Sequence, residues 1–153
     1  MEKLDSIDRH ILELLQEDAK INIKDLAKAV SLTKTPVYER IRRLEELKYI
    51  DKYVAILNPD KLNDSMVVFC SVSLESQKIE QIKAFSDAIK DIPQVIECYL
   101  LGGASDFIMK VVVRDLNAYH QFASGQLAAL PYVAKIGSSF VLNEIKRSTI
   151  YPI

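Results

Sequence analysis

Glycine, proline and cysteine are scarce in this sequence, with 4, 5 and 2 residues among 153. So few glycines and prolines exclude a flexible or proline-rich linker of any length. The two cysteines, Cys70 and Cys98, are widely separated, which argues against a disulfide framework and favours small buried side chains. The histidines, His10 and His120, have no cysteine or histidine partner at ligand spacing, so we expect no metal site.

Long apolar runs are also lacking, since none approaches the roughly 18 residues that a membrane-spanning helix requires. The first residues are charged and include acids, whereas a secretory signal begins with basic residues and an apolar core. The sequence therefore predicts a cytoplasmic protein with no membrane partner. Apolar residues make up 49% and charged residues 27%, which is enough for one ordinary domain or two small ones.

An excess of positive charge is lacking too, because the net charge is −1. The first fifty residues hold ten basic and ten acidic side chains, so a nucleic-acid-binding surface is not apparent from their total. Residues 33–48 are the exception, with five basic residues against three acidic ones. The basic signal is therefore confined to a single predicted helix.

Three helices are predicted in the amino-terminal part, from the spacing of apolar residues and from residues suited to N-caps. They cover residues 5–17, 22–29 and 33–47, and begin at Asp5, Asn22 and Thr33. Two short helices joined by about three residues are typical of a helix-turn-helix, whose second helix reads the major groove of DNA. The β-rich segment 49–57 predicts a strand after the third helix, as in a reduced winged variant.

The outer face of the third predicted helix carries side chains suited to DNA. Hydroxyl, phenol and carboxylate groups near its start can reach base edges, and its cations can meet guanine or phosphate. A solvated face with i,i+4 ion pairs also explains the charges, but it explains poorly an exposed tyrosine beside a threonine. The predicted DNA-binding residues are Lys34, Thr35, Tyr38, Glu39, Arg40, Arg42 and Arg43.

The pattern changes after residue 63 to the order β-α-β-β-α-β. Strands are predicted at 66–74, 95–101, 106–113 and 133–145, and helices at 79–92 and 116–129. This is the order of the ferredoxin-like split βαβ fold, with both helices on one face of an antiparallel sheet. The fold class is therefore α+β. The predicted parts are a helix-turn-helix domain at 1–57, a hinge at 58–63 and a ferredoxin-like domain at 64–153.

The other face of this predicted sheet is apolar as well. It would expose Val67, Phe69, Tyr99, Ile108 and Val112. A patch of that size marks a partner surface, and the simplest partner is a second copy packed sheet against sheet. A symmetric dimer suits a helix-turn-helix, because two recognition helices can then meet successive major grooves.

Catalytic motifs are absent from the sequence, which has no nucleophile elbow and no phosphate loop. Glu97, Ser105 and Asp106 lie near a glycine turn but have no base close to them in sequence, so we predict no enzyme activity. At the turn itself, Gly102 and Gly103 would let a small ligand approach backbone N–H groups. An ordinary hairpin turn that needs a positive φ explains the glycines equally well.

Several motifs occur in one order along the chain. They are Leu4-Asp-x-x-Asp8-Arg-x-Ile11, Thr35-Pro36-Val-x-x-Arg40-Ile-x-Arg43-Leu44, Gly103-x-x-Asp106-Phe, Leu127-x-x-Leu130-Pro131-x-Val133 and Ser138-Ser-x-Val-Leu. Together they resemble the Lrp/AsnC (leucine-responsive, or feast/famine) regulators over essentially the whole chain. The resemblance implies a helix-turn-helix that binds double-stranded DNA, followed by a ferredoxin-like RAM domain.

The resemblance also implies dimers formed by sheet packing, often assembled into octamers. It implies no cofactor, but an amino acid or related small molecule that binds between dimers near the Gly-x-x-Asp turn and modulates assembly or DNA binding. The effector-binding candidates that it implies are Gly102, Gly103, Ala104, Ser105 and Asp106, with Ser138, Ser139 and Thr149 as weaker ones.

Two positions depart from the family's pattern. The turn from Gly103 to Asp106 lacks the family's acid and aromatic residue, so the usual effector preference does not carry over. Ser31 stands where the helix-turn-helix usually has glycine, which costs on the order of 1 kcal/mol if the position needs φ > 0. Two alternatives stay open: a DNA-binding assembly protein without an effector, and a ferredoxin-like dimeric enzyme acting on small molecules.

Overall fold

The computed structural model describes residues 3–62 and 65–153, which form two compact units. The first unit comprises the chain up to Ile56 together with Lys146–Ile153, and the second comprises Leu57–Ile145. This differs from the predicted second domain, 64–153, because the end of the chain belongs to the first unit. The predicted hinge, 58–63, contains a short 3₁₀ helix at Pro59–Lys61. Residues 63 and 64, where the predicted boundary falls, lie outside the described residues.

The first unit is a bundle of three helices around an aliphatic core. The helices are α1 (Ser6–Glu17), α2 (Ile23–Ala29) and α3 (Lys34–Glu46). Ile11, Leu26, Val37 and Leu44 come from all three helices, and none is more than 1% exposed. Burying each of these side chains contributes roughly 1.5–3 kcal/mol, so the core holds the short helices together.

Polar caps begin the helices where the sequence predicted them. Asp5 accepts a hydrogen bond from the Asp8 backbone N–H at 2.7 Å, and Asp8 accepts one from the Asp5 backbone N–H at 3.2 Å. This reciprocal pair is a capping box. Asn22 caps α2 through its side-chain oxygen, whereas the hydroxyl of Thr33, at the start of α3, makes no capping hydrogen bond.

The turn between α2 and α3 begins with a residue in the left-handed region, Ser31, at φ 55°. The Ser31 N–H donates to the carbonyl of Lys28 at 3.2 Å, and the Leu32 N–H donates to that of Ala27 at 2.9 Å. These two bonds form a Schellman motif, which ends a helix with one left-handed residue. The position of Ser31 therefore does need a positive φ, the condition under which the sequence assigned it a cost.

The segment after α3 does not form the strand predicted at 49–57. Residues 51–57 have no regular secondary structure, and all seven are exposed. Residues of high β propensity form a strand only beside another strand, and the described residues of the first unit contain none. The carboxy-terminal tail joins this unit instead, because the side-chain amide of Gln16 hydrogen-bonds to the backbone N–H and carbonyl of Tyr151.

The second unit is a four-stranded antiparallel sheet with helices on one face. Its strands are β1 (Met66–Leu74), β2 (Val95–Leu100), β3 (Phe107–Val113) and β4 (Val133–Phe140), in the spatial order β2-β3-β1-β4. The helices are α4 (Ile79–Ile89) and α5 (Leu116–Gln121), and α5 continues into a π-helical segment at Phe122–Leu127. The predicted element order is confirmed.

Several predicted elements of this unit differ from the structure. The first helix ends at Ile89 rather than at residue 92, and the last strand ends at Phe140 rather than at residue 145. The second helix changes from α to π geometry after Gln121. Strand β4 pairs with β1, and its last paired residue lies opposite Val68, so the ladder ends there. None of the helices in the described residues is long and apolar enough to cross a membrane.

Alternation along the strands divides the sheet into two faces. On the helix side, Val68, Cys70 and Val72 are fully buried, and Phe85 of α4 meets Phe107 with ring centroids 4.5 Å apart. The opposite face is the one that the sequence predicted to be apolar. The pairing register places Val67 opposite Val112 and Tyr99 opposite Ile108, with Phe69 on the same side.

Candidate nucleic-acid interface and effector site

The seven predicted DNA-binding residues of α3 lie in two different settings. Arg40 and Arg43 are half-buried, whereas the other five are exposed: Lys34, Thr35, Tyr38, Glu39 and Arg42. Tyr38 is 63% exposed, although Val37 beside it is fully buried. An exposed tyrosine on a helix whose opposite side is in the core has no packing role within the unit, so it is available to a partner.

Arg42 makes a weak ion pair on the helix surface. Its Nε lies 2.9 Å from an oxygen of Glu46, one turn further along α3, and the two side chains are 70% and 62% exposed. Water competes with such a pair, and i,i+4 pairs of this kind contribute about 0.3–0.5 kcal/mol. Arg42 can therefore exchange Glu46 for phosphate or guanine at little cost.

Arg40 and Arg43 instead hold carboxylates of α1. Arg40 Nη1 lies 2.6 Å from Asp5 Oδ2 and 2.7 Å from Asp8 Oδ1, and Arg43 Nη2 lies 2.6 Å from Asp8 Oδ2. The Asp8 backbone N–H and the Arg40 guanidinium lower the pKa of Asp5. Conversely, hydrogen bonds to Asp5 and Asp8 raise the pKa of Arg40.

Lys24 and Lys28 are exposed on α2 and were not among the predicted DNA-binding residues. In a helix-turn-helix the first of the two helices crosses the DNA backbone, which makes these lysines additional candidates for phosphate contact. The sequence could have indicated both lysines, because they lie on the polar side of the short predicted helix, opposite its apolar residues Leu26 and Ala27.

The predicted effector turn connects β2 and β3. Gly102, Gly103 and Ala104 are exposed, Ser105 is half-buried and Asp106 is buried. Neither glycine has a positive φ, so the interpretation as a hairpin turn that requires one is wrong. A Cβ added at either glycine would meet no atom within 4 Å, so close packing within the chain does not explain these residues.

Asp106 connects this turn to the end of β1 by hydrogen bonds. Its Oδ2 accepts a hydrogen bond from the Leu74 N–H at 2.8 Å, and its Oδ1 accepts one from Gln77 Nε2 at 2.8 Å. Its own N–H donates to the carbonyl of Val72 at 2.9 Å. Both carboxylate oxygens thus accept hydrogen bonds from within the chain. The exposed part of the turn consists of Gly102, Gly103 and Ala104, which offer mainly backbone groups to a ligand.

The weaker effector candidates, Ser138, Ser139 and Thr149, belong to other segments of the structure than the turn. Ser138 and Ser139 lie on β4, and Ser138 pairs with Cys70 in the β1–β4 ladder. The turn precedes β3, which lies on the other side of β1. Thr149 is exposed in the tail that belongs to the first unit.

Ser138 hydrogen-bonds to the hydroxyl of Tyr119, which lies 3.3 Å from the Cys70 Sγ. Burial raises the pKa of Tyr119 to about 12, and it also raises the pKa of the Cys70 thiol. Both groups are therefore neutral near pH 7. These hydrogen bonds connect α5 to the sheet. Because neither group is charged, they provide no charged partner for a ligand. Among residues 3–62 and 65–153, no three His, Cys, Asp or Glu side chains cluster as metal ligands.

A three-helix unit with an exposed polar helix, followed by a ferredoxin-like unit, defines a DNA-binding regulator of the helix-turn-helix class. Residues 4–45 match the AsnC-type helix-turn-helix domain, and residues 67–151 match the Lrp/AsnC ligand binding domain. The chain therefore belongs to the Lrp/AsnC family of transcriptional regulators. The resemblance drawn from the sequence and the α+β fold class are both confirmed.

Curated relatives match this chain over nearly its whole length. The chain is 41% identical to the Bkd operon transcriptional regulator of Pseudomonas aeruginosa over 153 residues, which cover 100% of both chains. It is 37% identical to the leucine-responsive regulatory protein of Escherichia coli strain K12 over 145 residues, covering 95% of this chain and 88% of that one.

Solved structures show the same architecture. A transcriptional regulator from Neisseria meningitidis in complex with L-Met is 31% identical, with a TM-score of 0.91 over 98% of this chain and 97% of that one. An AsnC family regulator from Agrobacterium tumefaciens is 38% identical, with a TM-score of 0.90 over 97% of both chains. The chain is a transcriptional regulator, and the alternative of a ferredoxin-like enzyme is set aside.

Proposed function

We propose that this regulator reads double-stranded DNA with the exposed side of α3. Thr35, Tyr38 and Glu39 would contact base edges in the major groove, and Lys34 and Arg42 would contact guanine or phosphate. The observation that carries this proposal is that all five are exposed while the opposite side of α3 is buried in the core. Their types match the groups that DNA presents there: acceptors, donors and anionic oxygens.

Replacement of Arg42 tests this assignment. A binding site is first selected from a random duplex library, and affinity is then measured by fluorescence anisotropy. Arg42→Ala should weaken specific binding by about 1–3 kcal/mol, because a bidentate contact is lost. Arg114→Ala is the matched control, since Arg114 is 77% exposed and paired with Asp115 at 2.9 Å, but lies in the second unit. Unchanged affinity of a correctly folded Arg42→Ala protein would contradict the assignment.

We further propose that an amino acid or related metabolite binds at the backbone of Gly102, Gly103 and Ala104, in a site completed by another dimer. Three observations support this: the open space at both glycines, the match to the ligand binding domain, and the L-Met complex of the Neisseria relative. Ala104 and Ser105 stand where the family has an acid and an aromatic residue, so backbone N–H groups are the main donors offered to a carboxylate.

Isothermal titration against the common amino acids tests the effector proposal. Gly103→Leu should abolish binding, because its side chain fills the open space without straining a backbone of negative φ. Gly125→Leu is the control, since a Cβ at Gly125 also meets nothing within 4 Å but lies in the π-helical segment. If no amino acid binds and none changes the assembly state, the function is that of a DNA-binding assembly protein without an effector.

We also propose that the protein acts in the cytoplasm as a homodimer that assembles further, up to an octamer. The apolar side chains on the outer face of the sheet support the dimer, since Phe69 and Tyr99 are 39% and 56% exposed there. The polar residues Ser71, Glu97 and Lys110 share this face. Pairing two recognition helices would compensate for the small surface that a single helix-turn-helix buries on DNA.

A further inference from the structure

Four charged side chains form a network of ion pairs where α1 meets α3. We call it the Asp8 network; its members are Asp5, Asp8, Arg40 and Arg43. Each oxygen of the Asp8 carboxylate lies within 2.7 Å of a different arginine. The network contains two carboxylates and two guanidiniums, so it adds no net charge to the surface of the unit.

Asp8 depends on both arginines, because its side chain is only 1% exposed. An ion buried without a counter-ion costs several kcal/mol, and removing one partner of a buried pair is strongly destabilising. A phosphate that drew either guanidinium away would leave part of this carboxylate uncompensated. The phosphate would also approach Asp5 and Asp8 and meet repulsion from like charges.

Lys34 and Arg42 are in the opposite situation. Both are exposed, and the partner of Arg42, Glu46, is 62% exposed and is solvated when the pair breaks. Separating such a surface pair costs well under about 1 kcal/mol. Two cations of α3, Lys34 and Arg42, are therefore largely solvated. The other two, Arg40 and Arg43, pair with carboxylates and are 26% and 40% exposed.

We infer that Asp8 keeps Arg40 and Arg43 from contacting DNA. By pairing with both guanidiniums beside α1, it withdraws the two arginines from phosphate. The cations of α3 that contact DNA are then Lys34 and Arg42. This inference rests on the proposed DNA-binding function, and it revises the expectation that Arg40 and Arg43 bind phosphate.

The salt dependence of DNA binding tests the inference, because each phosphate contact contributes about 0.9 to the slope of log K against log salt concentration. The full chain is titrated onto a labelled duplex of mixed sequence, about 40 base pairs or roughly four helical turns long. The test variant, Asp8→Asn with Arg43→Gln, removes one anion and one cation. The matched control, Arg42→Gln with Glu46→Gln, does the same on the exposed side of α3.

We expect the Asp8/Arg43 double variant to keep the wild-type slope and the Arg42/Glu46 double variant to lose about 0.9 for each phosphate contact removed. A second test variant, Asp5→Asn with Arg40→Gln, should also keep the slope. An equal loss of slope in the Asp8/Arg43 variant would overturn the inference. Salt-independent binding, or no binding, by the wild-type protein would instead overturn the proposed DNA-binding function.

A measurement on the unaltered protein covers the case in which the Asp8 variant fails to fold. Phenylglyoxal modifies accessible arginines, and mass spectrometry reads each site with and without the duplex. Arg42 should react several times faster than Arg40 and Arg43 and be protected by DNA, while Arg114 in the second unit reacts equally in both conditions. If Arg40 or Arg43 reacts as fast as Arg42 and is protected by DNA, the inference is wrong.

Discussion

Ser31 adopts a left-handed backbone at φ 55° although it carries a side chain. For a residue with a Cβ this conformation costs roughly 1–2 kcal/mol, whereas glycine adopts it without penalty. The Schellman hydrogen bonds of Ser31 and Leu32 require this conformation, so it cannot relax without opening the turn. The serine therefore retains a local strain in the helix-turn-helix.

Replacing this serine should stabilise the first unit. Ser31→Gly should raise the free energy of unfolding by about 1 kcal/mol, measured by urea denaturation with circular dichroism. Lys28→Gly is the control, because Lys28 is exposed and helical in the same α2, and glycine there should lower the free energy by about 1 kcal/mol. Destabilisation by both changes would show that the turn does not benefit from glycine.

The packing of α1 against α3 has an electrostatic part at the level of the elements. Asp5 caps α1 and also contacts Arg40 of α3, and both interactions favour its charged form. The pKa of Asp5 is therefore lowered in the folded protein, first by the Asp8 N–H and then by Arg40. A carboxyl of this kind stabilises the fold above its unfolded pKa, and the stabilisation is lost as the pH falls through the folded pKa.

We expect the melting temperature of the first unit to fall as the pH is lowered towards the folded pKa of Asp5, which lies below the pKa of the same carboxyl in the unfolded chain. Asp5→Asn keeps a good N-cap but has no charge, so it should melt at a lower temperature than the wild type at neutral pH. The difference between the two proteins should shrink as the pH falls from the unfolded pKa through the folded pKa. A difference that stays constant with pH would exclude a contribution from the Asp5 charge.

The outer face of the sheet determines the oligomeric state expected of the whole molecule. Val67, Val112 and Ile108 are only half-buried there, beside the more exposed Phe69 and Tyr99. The helices cover the other face of the same sheet, and no helix among the described residues of the second unit lies on this one. A second copy packed on it removes apolar surface from water.

Phe69→Glu should convert the protein to monomers in size-exclusion chromatography with light scattering, because a buried charge would face its own copy across the symmetry axis. Specific DNA affinity should then fall by roughly 100-fold, since the second recognition helix no longer binds as part of the same molecule. Ile79→Glu, at a 79% exposed position of α4, should leave the dimer intact. A dimeric Phe69→Glu protein would rule out this face as the interface.

The predictions that succeeded depend on neighbours in sequence. Asp5 and Asn22 cap helices by accepting hydrogen bonds from backbone groups two or three residues away, so their types and positions were enough. The same holds for the outer sheet face, because alternation along a strand assigns Val67 and Phe69 to one side before any partner strand is known.

What the sequence determined by itself is therefore the order of elements in the second unit, the helix-turn-helix, the two faces of the sheet and the family. Tertiary structure decided which arginines of α3 are available, because Asp8 lies 32 and 35 residues before Arg40 and Arg43. It also decided that segment 49–57 is not a strand and that the tail joins the first unit, through a contact of Gln16 and Tyr151 across 135 residues. Propensity and periodicity report only local preferences, whereas ion pairs, strand pairing and tail docking depend on side chains that folding alone brings together.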